Sequence, residues 1–242
     1  EMAKGANFFQ IGSRQVSPDN RLLAYAEDKV GRRQFVLKVK DLTTGKTLED
    51  SIPNVQAGFA WAGDNKTIFY IEKDPVTLLG KRVKAHVLGT PASADRLVYE
   101  EKDDTYSLGL GTTSSEKFIC IYSGKTVSDE QRCAPVANPT NFTVIAPRET
   151  DFLYGADHVD NRWVIRTNWN APNYRLMTVA DSATGAGKAG WKDLVPHSAD
   201  VFIEGVQPFD HYLAIEERSG GNKRLRLLGN DGKARFVEAG EP

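Results

Sequence analysis

The sequence predicts an all-β protein of the β-propeller class, and two observations carry that prediction. A polar turn that opens directly into an apolar strand occurs five times, at intervals of 45 to 51 residues, beginning at Asp19, Asp64, Ser115, Asp160 and Asp210. This spacing is close to the period of about 40–50 residues that four-stranded propeller blades show. The apolar segments are short and rich in Val, Ile, Phe, Tyr and Thr, without helical periodicity. The hairpins of a β-sandwich would need no fixed period, so the propeller is favoured.

The recurring turn has a local chemical cause. In its first copy, Ser17, Asp19 and Asn20 surround Pro18. Side chains of Ser, Asp and Asn hydrogen-bond their own backbone two residues on, and proline presets φ for the turn. The apolar residues that follow are expected to form the second strand of a blade. Because one four-stranded sheet cannot bury both of its faces alone, the blades must stack, and the repeat is the consequence.

The repeat organises the chain as a single β-propeller domain, and its first blade begins before the first turn. An inner strand is expected at 7–11, the second strand at 22–27, and a third, cleanly alternating strand at 33–40. A turn at 43–46 leads to the outer strand. The five blades are predicted at roughly 1–52, 53–102, 103–148, 149–198 and 199–242.

The second blade shows the same order of elements. Its strands are predicted at 59–61, 67–72, 82–88 and 96–99, and the charged connector 100–104 is interpreted as a solvated loop. The third blade is less complete, because only two of its strands are evident. The strands predicted in the last three blades are 106–111 and 117–122, then 151–154, 162–167, 174–180 and 191–195, and finally 202–206, 212–217, 224–228 and 234–238.

Composition limits the classes of partner. The chain has 242 residues and a net charge of −1, which gives no reason to expect nucleic acid or an anionic membrane surface. No segment approaches the roughly 18 consecutive apolar residues of a membrane span. Residues 1–5 lack the apolar centre of a signal peptide, so a cytoplasmic protein is expected.

The cysteines and histidines indicate no metal site or cofactor. Cys120 and Cys133 are interpreted as small buried hydrophobic residues, and a disulfide between them stays open because two cysteines define no pattern. The four histidines are scattered, without the spacing of metal ligands. Asn141 heads a glycosylation acceptor pattern that is interpreted as chance in the absence of a secretory signal.

No catalytic residue is assigned from the sequence. Residues 185–190 (GAGKAG) match G-x-G-x-x-G, but they lie in a predicted loop between two strands rather than at the strand-to-helix turn of a dinucleotide site. There is no G-x-S-x-G nucleophile elbow, and no Ser, His and Asp set stands out by spacing. The residues alone therefore predict a binding or scaffold domain.

Several segments resemble oligopeptidase B, the trypsin-like branch of the prolyl oligopeptidase family of serine peptidases. The similarity spans nearly the whole chain and is densest from residue 7 to about residue 110. The acidic segment after Tyr99 is among its more specific features. The segments that carry the resemblance are 17–20 (SPDN), 26–28 (AED), 32–34 (RRQ), 75–79 (PVTLL), 88–93 (LGTPAS) and 99–106 (YEEKDDTY).

The resemblance implies a fold and a function. In that family a seven-bladed propeller caps an α/β-hydrolase domain, admits short peptides, and excludes folded proteins. The hydrolase domain cleaves after Arg or Lys with a Ser-His-Asp triad. About five of the seven blades have counterparts in this chain, and the hydrolase domain has none. The implied partners are the hydrolase domain of the same polypeptide and short basic peptides, while this chain by itself is not expected to be a peptidase.

Two positions are carried over from the resemblance, Gln56 and Arg33, and Arg32 is assigned to interdomain contact together with its neighbour Arg33. Gln56 occupies a position that faces substrate in relatives and is often Glu there, so the neutral amide loses a charge-assisted contact to a basic peptide. Arg33 matches an arginine of the network between propeller and hydrolase domain, and the acidic partner of that arginine aligns with Asn7. Arg32 and Arg33 are alternatively a solvated basic pair.

Two other functions remain as alternatives. A stand-alone, TolB-like propeller that binds a protein or ligand would need a closed ring. A lectin-like or glycosidase propeller would need clustered carboxylates and aromatic platforms. The four tryptophans lie at different points of the blades, which disfavours the second alternative: Trp61, Trp163, Trp169 and Trp191.

Overall fold

The structure is a computed structural model that describes residues 3–238. Within these residues the chain forms nineteen strands and two short 3₁₀ segments, Ala92–Ala94 and Asp181–Gly190. The all-β prediction is confirmed. The strands are β1 Gln10–Val16, β2 Leu22–Asp28, β3 Phe35–Asp41, β4 Thr47–Trp61, β5 Thr67–Lys73, β6 Gly80–Val87, β7 Arg96–Glu100, β8 Ser107–Thr112, β9 Phe118–Lys125, β10 Ser128–Pro135, β11 Thr143–Ala146, β12 Tyr154–Val159, β13 Arg162–Thr167, β14 Arg175–Ala180, β15 Lys192–Val195, β16 Phe202–Pro208, β17 Tyr212–Ser219, β18 Asn222–Gly229 and β19 Ala234–Phe236.

The strands of the described chain form five consecutive four-stranded antiparallel blades, which belong to four sheets. Strands β1–β7 form a seven-stranded sheet, because the long strand β4 is the outer strand of the first blade and the inner strand of the second. Val55 marks the change, since it pairs with Phe35 of β3 and with Glu72 of β5. The remaining sheets have the orders β11-β10-β9-β8, β12-β13-β14-β15 and β16-β17-β18-β19.

Four of the five predicted turns share one backbone conformation. Asn20, Asn65, Glu116 and Asp160 all have φ between 54° and 61°, the left-handed region that short polar residues tolerate best. Neighbouring turns are also joined, because the Asp19 N–H donates to the Asn65 side chain at 2.9 Å. The fifth turn, at 210–211, has no left-handed residue.

The described chain forms two compact units. The first comprises the residues through Thr112 with Ile119–Lys125 and Cys133–Phe142, and the second comprises Thr113–Phe118, Thr126–Arg132 and the residues from Thr143 onward. Each unit has its own apolar core, built on the central strands of its sheets. In the first unit these strands are β2, β5 and β9, and in the second they are β13 and β17.

Some element boundaries differ from the sequence prediction. The first strand begins at Gln10 rather than residue 7, and the inner strand of the fourth blade is Tyr154–Val159 rather than 151–154. Residues 183–190 lie in 3₁₀ turns rather than in an irregular loop, with a break at Gly187. This segment joins the antiparallel strands β14 and β15, so it is not the strand-to-helix turn of a dinucleotide site.

The third blade has two strands that the sequence pattern did not reveal, β10 and β11. Strand β10 buries Glu130 and Gln131, so it lacks the apolar alternation of a half-buried strand. The Gln131 carboxamide forms two hydrogen bonds with the backbone of Ala156. Its oxygen accepts the Ala156 N–H at 2.9 Å, and its nitrogen donates to the Ala156 carbonyl oxygen at 2.7 Å. Buried polar groups are tolerated when they are paired in this way.

A disulfide joins Cys120 and Cys133, which answers the question of their pairing that the sequence left open. Both residues are buried, as expected, but they face each other across β9 and β10 with their Cα atoms 4.1 Å apart. That distance is close to the value of about 4.5 Å between directly opposed residues of a non-hydrogen-bonded antiparallel pair. A separation of 13 residues along the chain gives no hint of this cross-strand contact.

Candidate substrate-facing site

An open cavity of about 440 Å³ in the first unit contains two of the three residues predicted from the resemblance. Its lining comes from β4, β5 and β8, from the start of β3 and from the loops beside them. Both polar and apolar side chains contribute to it. Among the lining residues are Arg33, Gln56, Lys73, Phe35, Ile71 and Leu108.

Gln56 reaches this cavity because β4 leaves one sheet and enters the next at this point. The register of β4 against β5 shifts between Val55 and Phe59, which takes Gln56 out of the regular ladder. Its Oε1 atom is buried without a hydrogen-bond partner. The atom lies against Gly80, where an added Cβ would come within 2.6 Å of it. The absence of a side chain at Gly80 therefore makes room for the carboxamide.

Asp28 positions Arg33 through the loop between β2 and β3. The buried Asp28 carboxylate accepts backbone N–H groups from Val30 at 2.8 Å, Gly31 at 3.0 Å and Arg33 at 2.8 Å. Burial raises the pKa of Asp28, but these hydrogen bonds, with one from Gln34, outweigh burial and lower the pKa below its ordinary value of 3.8. The loop is thereby fixed with Arg33 in the left-handed region, at φ 54°.

Lys73 is a cavity residue that the sequence analysis missed. Only 8% of it is exposed, and its Nζ donates to the Arg33 carbonyl oxygen at 2.7 Å. Burial lowers the pKa of Lys73, the nearby positive charge of Arg33 lowers it further, and Asp28 acts in the opposite direction. The sequence feature that could have identified Lys73 is its position at the end of an apolar strand, because lysine is rarely buried and the other residues of this strand mostly are.

The structure separates the two adjacent arginines. Both arginines are exposed, but Arg33 lines the cavity and Arg32 does not. Neither guanidinium forms an ion pair with a carboxylate of residues 3–238. Asn7, at the position of the acidic partner in relatives, is also exposed. The interdomain role of the arginines stays a prediction, as does the substrate-facing role of Gln56.

Replacing Asp28 with asparagine is expected to loosen residues 28–34 and to lower the free energy of unfolding by about 1–3 kcal/mol, because asparagine has one acceptor oxygen where the carboxylate accepts on both, and hydrogen bonds to charged groups are the stronger ones. Because the pKa of Asp28 is depressed, the stability from its ionised form is present above pH 3.8 and is lost as pH falls through the lower folded value. Urea denaturation between pH 2.5 and pH 7 should therefore show a shallower acid dependence in Asp28→Asn. Asp74→Asn, in an exposed loop, should lower the free energy of unfolding less than Asp28→Asn does. Equal losses in the two variants would contradict the assignment of Asp28 as the residue that fixes its loop.

The second unit contains a Ser-His-Asp hydrogen-bond chain that sequence spacing did not reveal. The Nδ1 atom of His158 lies 2.7 Å from the Ser115 hydroxyl oxygen, and its Nε2 atom lies 2.9 Å from Asp181. The imidazole is fully buried, with its ring against Phe118 and Trp163 at centroid distances of 4.7 and 5.1 Å.

The geometry indicates a structural role for this chain of hydrogen bonds. The Ser115 hydroxyl lies 3.0 Å from the Thr113 hydroxyl and accepts the Lys117 N–H at 3.2 Å, which engages it within its own turn. In a catalytic triad the acid orients Nδ1 and the serine faces Nε2, the reverse of the arrangement at His158. The three residues therefore hold the third of the recurring turns against β12 and Asp181.

Ser115→Ala provides a direct test of that structural role. The substitution should lower the free energy of unfolding by about 1 kcal/mol, since it removes hydrogen bonds but little volume. A serine-directed fluorophosphonate probe should not label the 242-residue chain. Labelling of the wild-type chain that is lost in Ser115→Ala would show that Ser115 is a nucleophile.

The described residues offer little support for the other site classes. Residues 3–238 contain no cluster of three or more His, Cys, Asp or Glu side chains arranged to hold a metal ion. No helix within this range is long and apolar enough to cross a membrane. Trp61, Trp163 and Trp191 are buried and are therefore not open stacking platforms for a sugar.

Comparison with known families places the chain among peptidase propellers. Residues 1–240 match the family described as prolyl oligopeptidase, N-terminal β-propeller domain. The chain is 48% identical, over 99% of its length, to dipeptidyl aminopeptidase BI of Pseudoxanthomonas mexicana, of which it covers 33%. It is 26% identical over its whole length to protease 2 of Moraxella lacunata and covers 35% of that protein.

Solved structures show the same fold. The structure of oligopeptidase B from Leishmania major superposes on the whole chain with a TM-score of 0.91 at 24% sequence identity, and the chain covers 35% of it. Oligopeptidase B from Trypanosoma brucei gives a TM-score of 0.86 at 22% identity. The chain thus spans about a third of the length of the curated relatives and structures that it matches.

Proposed function

The chain belongs to the N-terminal β-propeller domain family of prolyl oligopeptidases, and on this premise we propose that it is the substrate-gating domain of a longer peptidase. The observation that carries the proposal is the combination of a family match over residues 1–240 with coverage of only 33–35% of two peptidase relatives. The catalytic α/β-hydrolase domain would lie in the same polypeptide. The propeller would admit short peptides and exclude folded proteins.

Exposed apolar residues in two loops of the first unit support the proposal that a partner domain packs against it. Val30 is 64% exposed in the loop after β2, and Val76 is 87% exposed in the loop after β5, where Leu79 is also exposed. The second loop is fixed by Asp74, whose carboxylate accepts the N–H groups of Val76 at 2.9 Å and of Thr77 at 2.7 Å. Exposed apolar side chains mark protein contact surfaces when they lie close together, and Val76 and Leu79 lie in one short loop.

The resemblance to oligopeptidase B favours cleavage after Arg or Lys. The cavity adds a restriction, because Arg33 and Lys73 would repel a basic side chain rather than bind it. A basic residue of the substrate would therefore be recognised by the hydrolase domain. The relative with 48% identity bears the name of a dipeptidyl aminopeptidase, which favours a second candidate, release of dipeptides from a free N-terminus.

Substrates with and without a blocked N-terminus distinguish these two activities in the longer protein. An oligopeptidase B-like enzyme should hydrolyse a benzyloxycarbonyl-arginyl amide, whereas a dipeptidyl aminopeptidase should require the free amine of a glycyl-arginyl amide. Either enzyme should cleave peptides of about ten residues and spare a folded protein that carries the same sequence, placed in a loop for the oligopeptidase B-like enzyme and at the free N-terminus for the dipeptidyl aminopeptidase. Hydrolysis of the folded protein at a similar rate would contradict the gating role.

The stand-alone TolB-like scaffold makes a different prediction for the 242-residue chain. A self-sufficient module should be a clean monomer, whereas a propeller that lacks blades leaves strand edges unpaired, and such edges invite association. Size-exclusion chromatography with light scattering separates the two cases. Oligomers or aggregation would support the incomplete propeller, and a stable monomer would favour the scaffold.

A further inference from the structure

The cavity holds a buried cation without a counter-ion. The ammonium of Lys73 has three donors, but the structure gives Nζ a single acceptor, the Arg33 carbonyl oxygen at 2.7 Å. No carboxylate of residues 3–238 lies within ion-pair distance of Lys73. Asp28 acts only from farther away, and its oxygens accept the N–H groups of its own loop. A buried charge is costly unless it is paired, so this ammonium lacks an anion.

Gln56 adds an adaptable polar group on the same side of the sheet. Lys73 and Gly80 are paired across β5 and β6, and the side chains of paired residues project from the same face. The Gln56 carboxamide occupies the space over Gly80, so it stands beside Lys73. Its terminal torsion is soft, and a half-turn would exchange the unpartnered Oε1 for an N–H donor.

We propose that this cavity binds a carboxylate, with Lys73 and Arg33 as its cations and the Gln56 amide as an additional donor. The loop geometry set by Asp28 holds Arg33 at the rim, and the buried position of Lys73 makes its charge effective because little water screens it. Two sources supply this chemistry in the proposed peptidase, on which the inference rests. One is the C-terminal carboxylate of a short peptide, and the other is an acidic side chain from the remainder of the longer protein.

Calorimetric titration tests the proposal by measuring binding rather than substrate turnover. Failure of the carboxylate site can therefore be distinguished from failure of the proposed peptidase function. The probes are acetyl-triglycine with a free carboxylate and the same peptide with a C-terminal amide. The 242-residue chain should bind the carboxylate at least about tenfold more tightly, the usual advantage of a charge-assisted hydrogen bond. Lys73→Met should remove this preference and Arg33→Met should reduce it. Arg32→Met, the adjacent exposed arginine outside the cavity, is the matched control and should retain it.

The same titration of the longer protein identifies the source of the carboxylate. If the longer protein also prefers the free carboxylate, the ligand is the peptide terminus. If only the 242-residue chain binds, and Lys73→Met but not Arg32→Met lowers the melting temperature of the longer protein, an internal acidic side chain fills the cavity. The proposal is overturned if the 242-residue chain binds neither probe, binds both equally, or loses as much affinity in Arg32→Met as in Lys73→Met.

Gln56→Glu gives a second, independent readout. A carboxylate introduced beside Lys73 should occupy the site itself, abolish the binding of acetyl-triglycine, and raise the melting temperature of the 242-residue chain. The rise should disappear in the double variant Gln56→Glu/Lys73→Met. A lower melting temperature in Gln56→Glu, with peptide binding unchanged, would contradict the proposal even where every variant folds.

Discussion

Replacing Phe69 with alanine is expected to lower the free energy of unfolding by about 3–5 kcal/mol, the usual range for removing a buried aromatic ring. Phe69 is fully buried on β5, in the apolar core that β5 shares with β8 and β9, and its ring centroid lies 5.7 Å from that of Phe142. The ring therefore fills space between consecutive sheets of the first unit. A loss of this size is a large part of the 5–15 kcal/mol that stabilises a typical domain.

Urea denaturation followed by circular dichroism measures the effect of Phe69→Ala. Val76→Ala is the matched control, because Val76 is an apolar residue of the following loop that is 87% exposed. The control should change the free energy of unfolding by less than about 0.5 kcal/mol. Similar losses in the two variants would mean that β5 is not packed between sheets as described.

Loss of the Cys120–Cys133 disulfide is expected to lower the free energy of unfolding by about 3 kcal/mol, the chain-entropy value for a loop of this size. The disulfide ties β9, a central strand of its sheet, to its neighbour β10. Denaturation of the oxidised protein with and without dithiothreitol measures the difference. The double variant Cys120→Ala/Cys133→Ala should be insensitive to the reductant, and equal stability of the oxidised and reduced wild-type protein would contradict the prediction.

The disulfide also bears on the compartment in which the protein folds. The cytoplasmic location expected from the sequence stays a prediction, and the disulfide is an argument against it, because glutathione and thioredoxin keep most cytosolic thiols reduced. Titration of free thiols in protein taken directly from its native cells distinguishes the two cases. Detection of two free thiols per chain would support a cytoplasmic location, whereas detection of no free thiols would support an oxidising compartment.

The sequence predicted those parts of the fold that have local causes. The turns at Asn20 and Asn65 are short polar segments with a left-handed residue, and the apolar strands that follow them are the buried centres of blades. Strand β10 could not be recognised in the same way, because it buries the polar residues Glu130 and Gln131, and the side chain of Gln131 is hydrogen-bonded to Ala156, which lies 25 residues away along the chain. The disulfide escaped prediction because two cysteines define no framework.

The candidate site was predictable only through its loop and strand-entry residues. Arg33 and Gln56 were selected by the resemblance, and the structure brings both to one cavity. Lys73 lines the same cavity because β4 passes from the first blade to the second at this point and places Gln56 over Gly80, the residue paired with Lys73. Hydrophobic periodicity in the sequence does not encode this contact between strands. For the same reason the hydrogen bonds of His158 remained hidden, since its partners Ser115 and Asp181 are 43 and 23 residues away.

Amidase assays on two forms of the protein test the central claim, that this chain is the gating domain of a longer peptidase. The purified 242-residue chain should hydrolyse neither a blocked arginyl amide nor a free glycyl-arginyl amide. The longer protein should hydrolyse one of them, and a serine-directed inhibitor should abolish that activity. Turnover by the 242-residue chain itself, blocked by the same inhibitor, would contradict the account.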